Sequence, residues 1–353
     1  MSRTLAVRSV LGALGLVLVL ALSAATARAA EHNWRMATSW GGGPLMDIGA
    51  KAFADRVSQL TDGRVEIQVF PAGTLSKGLE VRSAVEKGVA EVGHTWIGYD
   101  WGKDVAVVLL GGFAGSMDSE RMLHWIYEGG GLELWRQYNE ERFNLISFPC
   151  FARTAEAFLH SRKPVRTLED LKGLKLRTAG AWLDMAKDLG AAPVTTPGGE
   201  VYQMLERGAI DATEWGTLYE NISTGFHKVA KYVIIPGIHQ PSAPFEVMFN
   251  KDAWNKLSDR DKEMIELAAK LVTLESWMKI GQEDAKALEF FRSEGNEIIE
   301  LDPEVQKQAK DIALNWAEEQ AAKDEWFARI WQSQREFEAL WENASSYRNV
   351  RYE

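Results

Sequence analysis

The sequence predicts two α/β domains, the first built on a largely parallel sheet, and three observations predict them. Short apolar runs alternate with stretches of helical periodicity. The chain has 353 residues, more than one core usually serves. A helix, glycine and strand unit also recurs. Glu86-Lys87-Gly88 and Glu206-Arg207-Gly208 each close a helical stretch. An acid follows three residues later, Glu91 or Asp211, and then an indole, Trp96 or Trp215.

Trp34 to Thr38 reads as a strand and Pro44 to Leu60 as a helix. After the turn Thr61-Asp62-Gly63, Val65 to Phe70 is a second strand. Leu79 to Glu86 is helical, Gly88 terminates it, and Val89 to Thr95 is a third strand. Strands alternating with helices in this order imply parallel pairing, with ligands held at the strands' C-terminal ends. A long helix starts at Ser258, where Asp261 completes an approximate capping box, and runs to about Arg292. Gly295 to Leu301 is a candidate strand, and Pro303 opens another helix. Near the end, Trp326, Ile330, Phe337 and Trp341 share one helical face, which covers either this chain or a partner subunit.

Arg3 and Arg8, an apolar run from Val10 to Leu22 and the small-residue site Ala27-Arg28-Ala29 have the form of a secretory signal peptide. Cleavage near Ala29 or Ala30 is expected. It removes three arginines and no acid, taking the formal charge from -10 to -10 - 3 = -13. Such an acidic chain repels nucleic acid and anionic lipid. A single cysteine, Cys150, excludes an intramolecular disulfide and a cysteine metal cluster. With no disulfide available, the core must rest on packing, and 14 Trp supply large side chains for it.

No Gly-x-Ser-x-Gly, His-Glu-x-x-His or Walker-type loop is present, and the six His are scattered. Gly41-Gly42-Gly43 lies between a strand and a helix, but no Lys-Ser/Thr follows to make a phosphate loop. His94 ends a strand and is a candidate for the cleft. Thr213-Glu214-Trp215 also follows a strand. Glu246 lies inside the apolar run Phe245 to Phe249, where an acid needs a paired base or a cation. Arg177 ends the run Leu174-Lys175-Leu176, and a guanidinium there suits bidentate capture of a carboxylate. An internal salt bridge is the alternative for each. A secreted glycosidase is the competing class. It needs two catalytic carboxylates in a groove, and no spacing here singles out such a pair, so an enzyme is not expected.

Several segments resemble the solute-binding subunits of tripartite ATP-independent periplasmic (TRAP) transporters. They are GGEVYQMLERGAIDATEW (198–215), LEDLKGLKLRTAG (168–180), FHKVAKY (226–232), GGGLELW (129–135), FPAG (70–73) and Gly93-His94. Glu214-Trp215 together with FHKVAKY is similar to the subgroup that binds 2-oxo or 2-hydroxy monocarboxylates through a cation. The resemblance implies a periplasmic binding protein type II-like fold with crossing strands, a long domain-spanning helix and a C-terminal helical extension. The expected division is residues 30–153 with 244–290, residues 154–243 with 291–320, and a C-terminal helix, 321–353, that forms a homodimer. Function follows as capture of a small organic acid in the periplasm and delivery to a membrane permease. A sugar acid, a dicarboxylate and a zwitterionic solute are the other ligands in view.

By the same resemblance Arg177 holds the ligand carboxylate, with Tyr99, His94 and Trp215 beside it. Glu214, the Trp215 carbonyl and Glu246 hold Ca2+ or Na+, and no organic cofactor is implied. Two departures stand out. Glu156 falls where the subgroup carries Gln, after Ala152-Arg153-Thr154 in place of Asn-Thr-Gly. Gly98 replaces one of two tyrosines, and Tyr99 remains. An added carboxylate favours a divalent ion, calcium first. Alternatively Glu156 meets a ligand amine, or pairs with Arg153.

Overall fold

A computed structural model describes residues 30–348 apart from residue 197, so the expected signal segment, 1–29, lies outside the described residues. Strands β1 (His32–Thr38), β2 (Val65–Phe70), β3 (Val92–Thr95) and β4 (Leu145–Arg153) belong to a first sheet. Strands β5 (Leu159–Ser161), β6 (Lys175–Arg177), β7 (Ala192–Val194), β8 (Ala212–Thr213) and β9 (Tyr232–Ile235) belong to a second. The chain returns to the first sheet with β10 (Ala243–Asn250) and closes the second with β11 (Glu297–Glu300). The orders are β2-β1-β3-β10-β4 and β11-β9-β5-β8-β6-β7.

Parallel pairing holds for β1 with β2 and β3, as the alternating order predicts. One strand in each sheet runs the other way, β10 in the first and β5 in the second. These are the strands by which the chain enters a sheet from the other one. The crossing segments, 154–158 and 236–242, touch: Glu156 N–H donates to the Gln240 carbonyl, 3.3 Å. Gly237 allows this approach, because a Cβ there would stand 2.4 Å from the Glu156 carbonyl oxygen.

The predicted long helix spans Asp259–Ser293, 35 residues or about 52 Å. Ser258 caps it by accepting from Asp261 N–H. Its Thr273 donates to the Pro149 carbonyl, and Ser276 accepts from Ala152 N–H, fixing it to β4. Further along, Asp284 accepts from Thr154 and from Tyr219 N–H, and Phe291 packs on His160 of β5. A single rigid element thus contacts both sheets. No helix among the described residues is long and apolar enough to cross a membrane.

The aromatic face near the C-terminus packs within the protomer. In the helix Glu325–Arg348, Trp326, Phe327, Ile330 and Trp331 are buried against this chain's own helices. Trp326 meets Tyr138, Trp331 meets Phe113, and Trp341 meets His124. Gln334 donates to the Leu109 carbonyl, 2.8 Å. In the protomer the stripe packs on its own chain, the first of the two coverings open to it, and Leu340 and Tyr347 are the exposed large apolar residues of this helix.

Candidate functional site

Both halves of the sequence repeat deliver residues to one cavity. Gly88 and Gly208 close their helices at φ +68° and +70°, as C-terminal glycines do. The strands that follow, β3 and β8, end at Trp96 and at Glu214-Trp215, and all three residues line the same space. Arg177, from the end of β6, and Arg153, Glu156 and Gln240, from the crossing segments or beside them, complete the polar wall. Tyr99, Trp40 and Phe245 supply aromatic surface. The enclosed space is only about 20 Å³, room for about one water, so the residues around it are closely drawn together in this structure.

Arg177 is buried and held from two sides. Its Nε and Nη2 donate to the Thr196 carbonyl, and its Nη1 donates to the carbonyl and Oε1 of Glu214, 3.2 and 3.3 Å. The guanidinium lies over the Trp215 ring, 5.3 Å from its centroid. These contacts lock its plane and engage all three of its nitrogens, so a ligand carboxylate on Arg177 competes with Glu214 and Thr196 for the fork. Burial pushes the Tyr99 phenol up, and the adjacent Arg177 opposes that shift.

Glu156 is not an isolated extra charge. Arg153 binds its Oε1, and His239 Nε2 lies 2.9 Å from its Oε2. Arg153 also binds Glu220 Oε2 at 2.7 Å and stacks on Phe245. Burial pushes Glu220 up. Burial likewise holds the His239 imidazole at about 4, so the ring is neutral near pH 7 and donates from Nε2 to Glu156. Arg153 is thus shared between Glu156 and Glu220, the pairing that the sequence offered as one alternative for Glu156.

The structure does not bring Glu246 to this cavity. Its Oε1 accepts from Arg82 Nη2 at 2.5 Å, and its Oε2 accepts from Ser147 at 2.7 Å. The apolar run around Glu246 is β10, in the middle of the first sheet, and the acid's obligatory partner is a buried arginine on a neighbouring helix. Arg82 also donates to Asp100 and Asn139. Glu246 thus supports the turn that carries Tyr99 from behind.

His94 is likewise outside the cavity. Its Nδ1 accepts from Trp40 Nε1 at 2.9 Å, and its Nε2 lies 3.1 Å from the Cys150 carbonyl, to which it donates. It positions Trp40, which does line the space. Burial lowers His94 to about 4, and burial lowers His160, inside the second sheet, to about 3. In the unfolded chain both take a proton near pH 6.5. Each ring therefore contributes stability that is fully present above that pH and is lost as pH falls toward 4, by about 3 kcal/mol per ring. Imidazole resonances of His94 and His160 are expected to keep neutral-form shifts down to pH 5. Titration of either near 6.5 would contradict this.

The donor set for a cation differs from the one the sequence suggests. Glu156, Glu214 and His239 each place a ligand atom within 4.8 Å of the others, all buried. His239 Nδ1 is buried without a hydrogen-bond partner. The carboxylate oxygens of Glu156 and Glu214 fit a hard cation such as calcium or sodium, whereas the His239 imidazole does not. Sequence reasoning missed His239, Gln240 and Glu220. The signal available for the first two was Pro236 and Pro241 bracketing them between two apolar runs.

Two lobes, crossing segments between them and a small polar cavity where they meet define a solute-binding protein of the periplasmic type. The family described as bacterial extracellular solute-binding protein, family 7 (DctP), matches residues 36–324, and the chain belongs to it. Its members are the solute-binding proteins of TRAP transporters. A monocarboxylate 2-oxoacid-binding periplasmic protein of Nostoc sp. is 33% identical over 305 residues, covering 86% of this chain and 84% of that protein. A TRAP solute-binding protein from Bordetella bronchiseptica, solved with copurified calcium and picolinate, superimposes with TM-score 0.84 at 29% identity. One from Pseudoalteromonas atlantica, with sodium and pyruvate, gives 0.84 at 28%. Each match covers 90% of this chain and 97% of the other. These relatives are transport proteins, and periplasmic location goes with them.

Proposed function

We propose that this chain captures a small organic acid, a 2-oxo or 2-hydroxy carboxylate, in the periplasm and delivers it to a TRAP permease in the membrane. The observation that carries the reading is Arg177, buried, immobilised and facing a small cavity between the two sheets. Its guanidinium takes the carboxylate, while Tyr99 and Trp215 border the remainder of the ligand. Glu214 and Glu156 hold a calcium or sodium ion beside it, joined by the Trp215 carbonyl. His239 orients Glu156. The ion supplies positive charge for the ligand's second oxygen.

Calorimetric titration with 2-oxo and 2-hydroxy acids tests this, before and after exhaustive chelation in sodium-free buffer. The expected result is one-to-one binding without turnover, at least about tenfold weaker without the ion and restored by calcium or sodium. Full affinity in metal-free protein would remove the cation from the account.

A homodimer through the C-terminal helix keeps two supports. The Bordetella relative crystallised as a dimer, and Leu340 and Tyr347 remain exposed here. Export by way of a cleaved signal peptide rests on residues 1–29 and on the periplasmic relatives.

A further inference from the structure

Beside the acid cavity lies a second, larger one of about 800 Å³ that opens to solvent. It separates Gly41–Gly43, after β1, from the helix Gly198–Glu206 and the segment 223–226 of the other lobe. Trp40, Leu45, Tyr99 and Trp215 line both spaces, so the two adjoin across these side chains. Tyr202 and Phe226 extend the aromatic wall outward.

Capture of a carboxylate and a cation uses the inner cavity and leaves this one without a role. Its width is built in. An added Cβ at Gly41 or Gly42 would meet nothing within 4 Å, so the wall on that side is bare backbone. The rim is nevertheless drawn together at Gly43, where a Cβ would stand 3.3 Å from Ser223 Oγ. The lobes thus approach each other at the edge while the space behind stays open. An acid of three carbons would leave aromatic surface facing water there, which is unfavourable next to a ligand that covers it.

We propose that the ligand is an organic acid with an apolar or aromatic tail of several carbons. Its carboxylate sits on Arg177 and its tail lies in the space between Gly41 and Tyr202. This rests on the carboxylate reading of Arg177.

The test is calorimetry of the mature chain with pyruvate, 4-methyl-2-oxopentanoate and phenylpyruvate, on wild type and on Gly41→Leu. Gly41 is exposed and its φ lies outside the left-handed region, so leucine there fills the cavity without backbone strain. Affinity is expected to rise along the series, by about tenfold or more from pyruvate to phenylpyruvate. Gly41→Leu should weaken phenylpyruvate by about tenfold and leave pyruvate within about twofold. Tyr202→Ala should repeat the selective loss from the opposite wall. Equal affinity for all three acids overturns the proposal, and so does a variant that weakens all three alike. Binding of none of them overturns the carboxylate reading itself, a different result from a flat series.

Discussion

Arg177→Met is expected to lower ligand affinity by about 100-fold or more, because it removes the charge-assisted partner of a carboxylate in a closed cavity. It also leaves Glu214 facing the ligand's negative charge with no guanidinium between them. Lysine should not restore binding. The donors of Arg177 are spread across Thr196 and Glu214 in one plane, and an ammonium cannot reproduce that fork. Calorimetry on the folded variant checks this, with circular dichroism to confirm the fold. Unchanged affinity would mean that the carboxylate binds elsewhere.

Glu246→Ala is expected to destabilise the protein by about 3–5 kcal/mol, because Arg82 is fully buried and loses one of its two carboxylate partners. Burial already pushes Glu246 up, and the Arg82 guanidinium opposes that shift, so the pair is held by mutual dependence. Ligand and cation affinity of the folded variant should change little, since Glu246 does not reach the cavity. Chemical denaturation and calorimetry together separate the two roles. Unaltered stability with loss of cation binding would return Glu246 to the site.

Much of the scaffold is legible in the sequence because its signals are local. Alternating runs mark the parallel strands. Ser258 and Asp261 mark the start of the long helix, and glycines 88 and 208 mark the strand entries that bring Trp96, Glu214 and Trp215 to the cavity. The position of Arg177 at the end of a strand is readable in the same way. What fails is partner choice across long separations. An acid within an apolar run announces a counter-charge, but nothing near Glu246 distinguishes a cation from Arg82, 164 residues away. Glu156 is the contrasting case, with its arginine only three residues before it. The place of His94 at a strand end predicts that it faces the cleft. Its two hydrogen bonds, to Trp40 and to the Cys150 carbonyl, lie within the first sheet's core. The periodicity of the terminal helix identifies a buried face without saying whose surface buries it. His239 is silent in sequence because its role arises only where the crossing segments meet.

The most direct test of the central claim is a high-resolution crystal structure of the protein as purified, with anomalous data to identify any ion. The account predicts a carboxylate in contact with Arg177, between Tyr99 and Trp215, with an ion at coordination distance from Glu214 and Glu156. A ligand that makes no contact with Arg177, or an amine in the place of the ion, would contradict it.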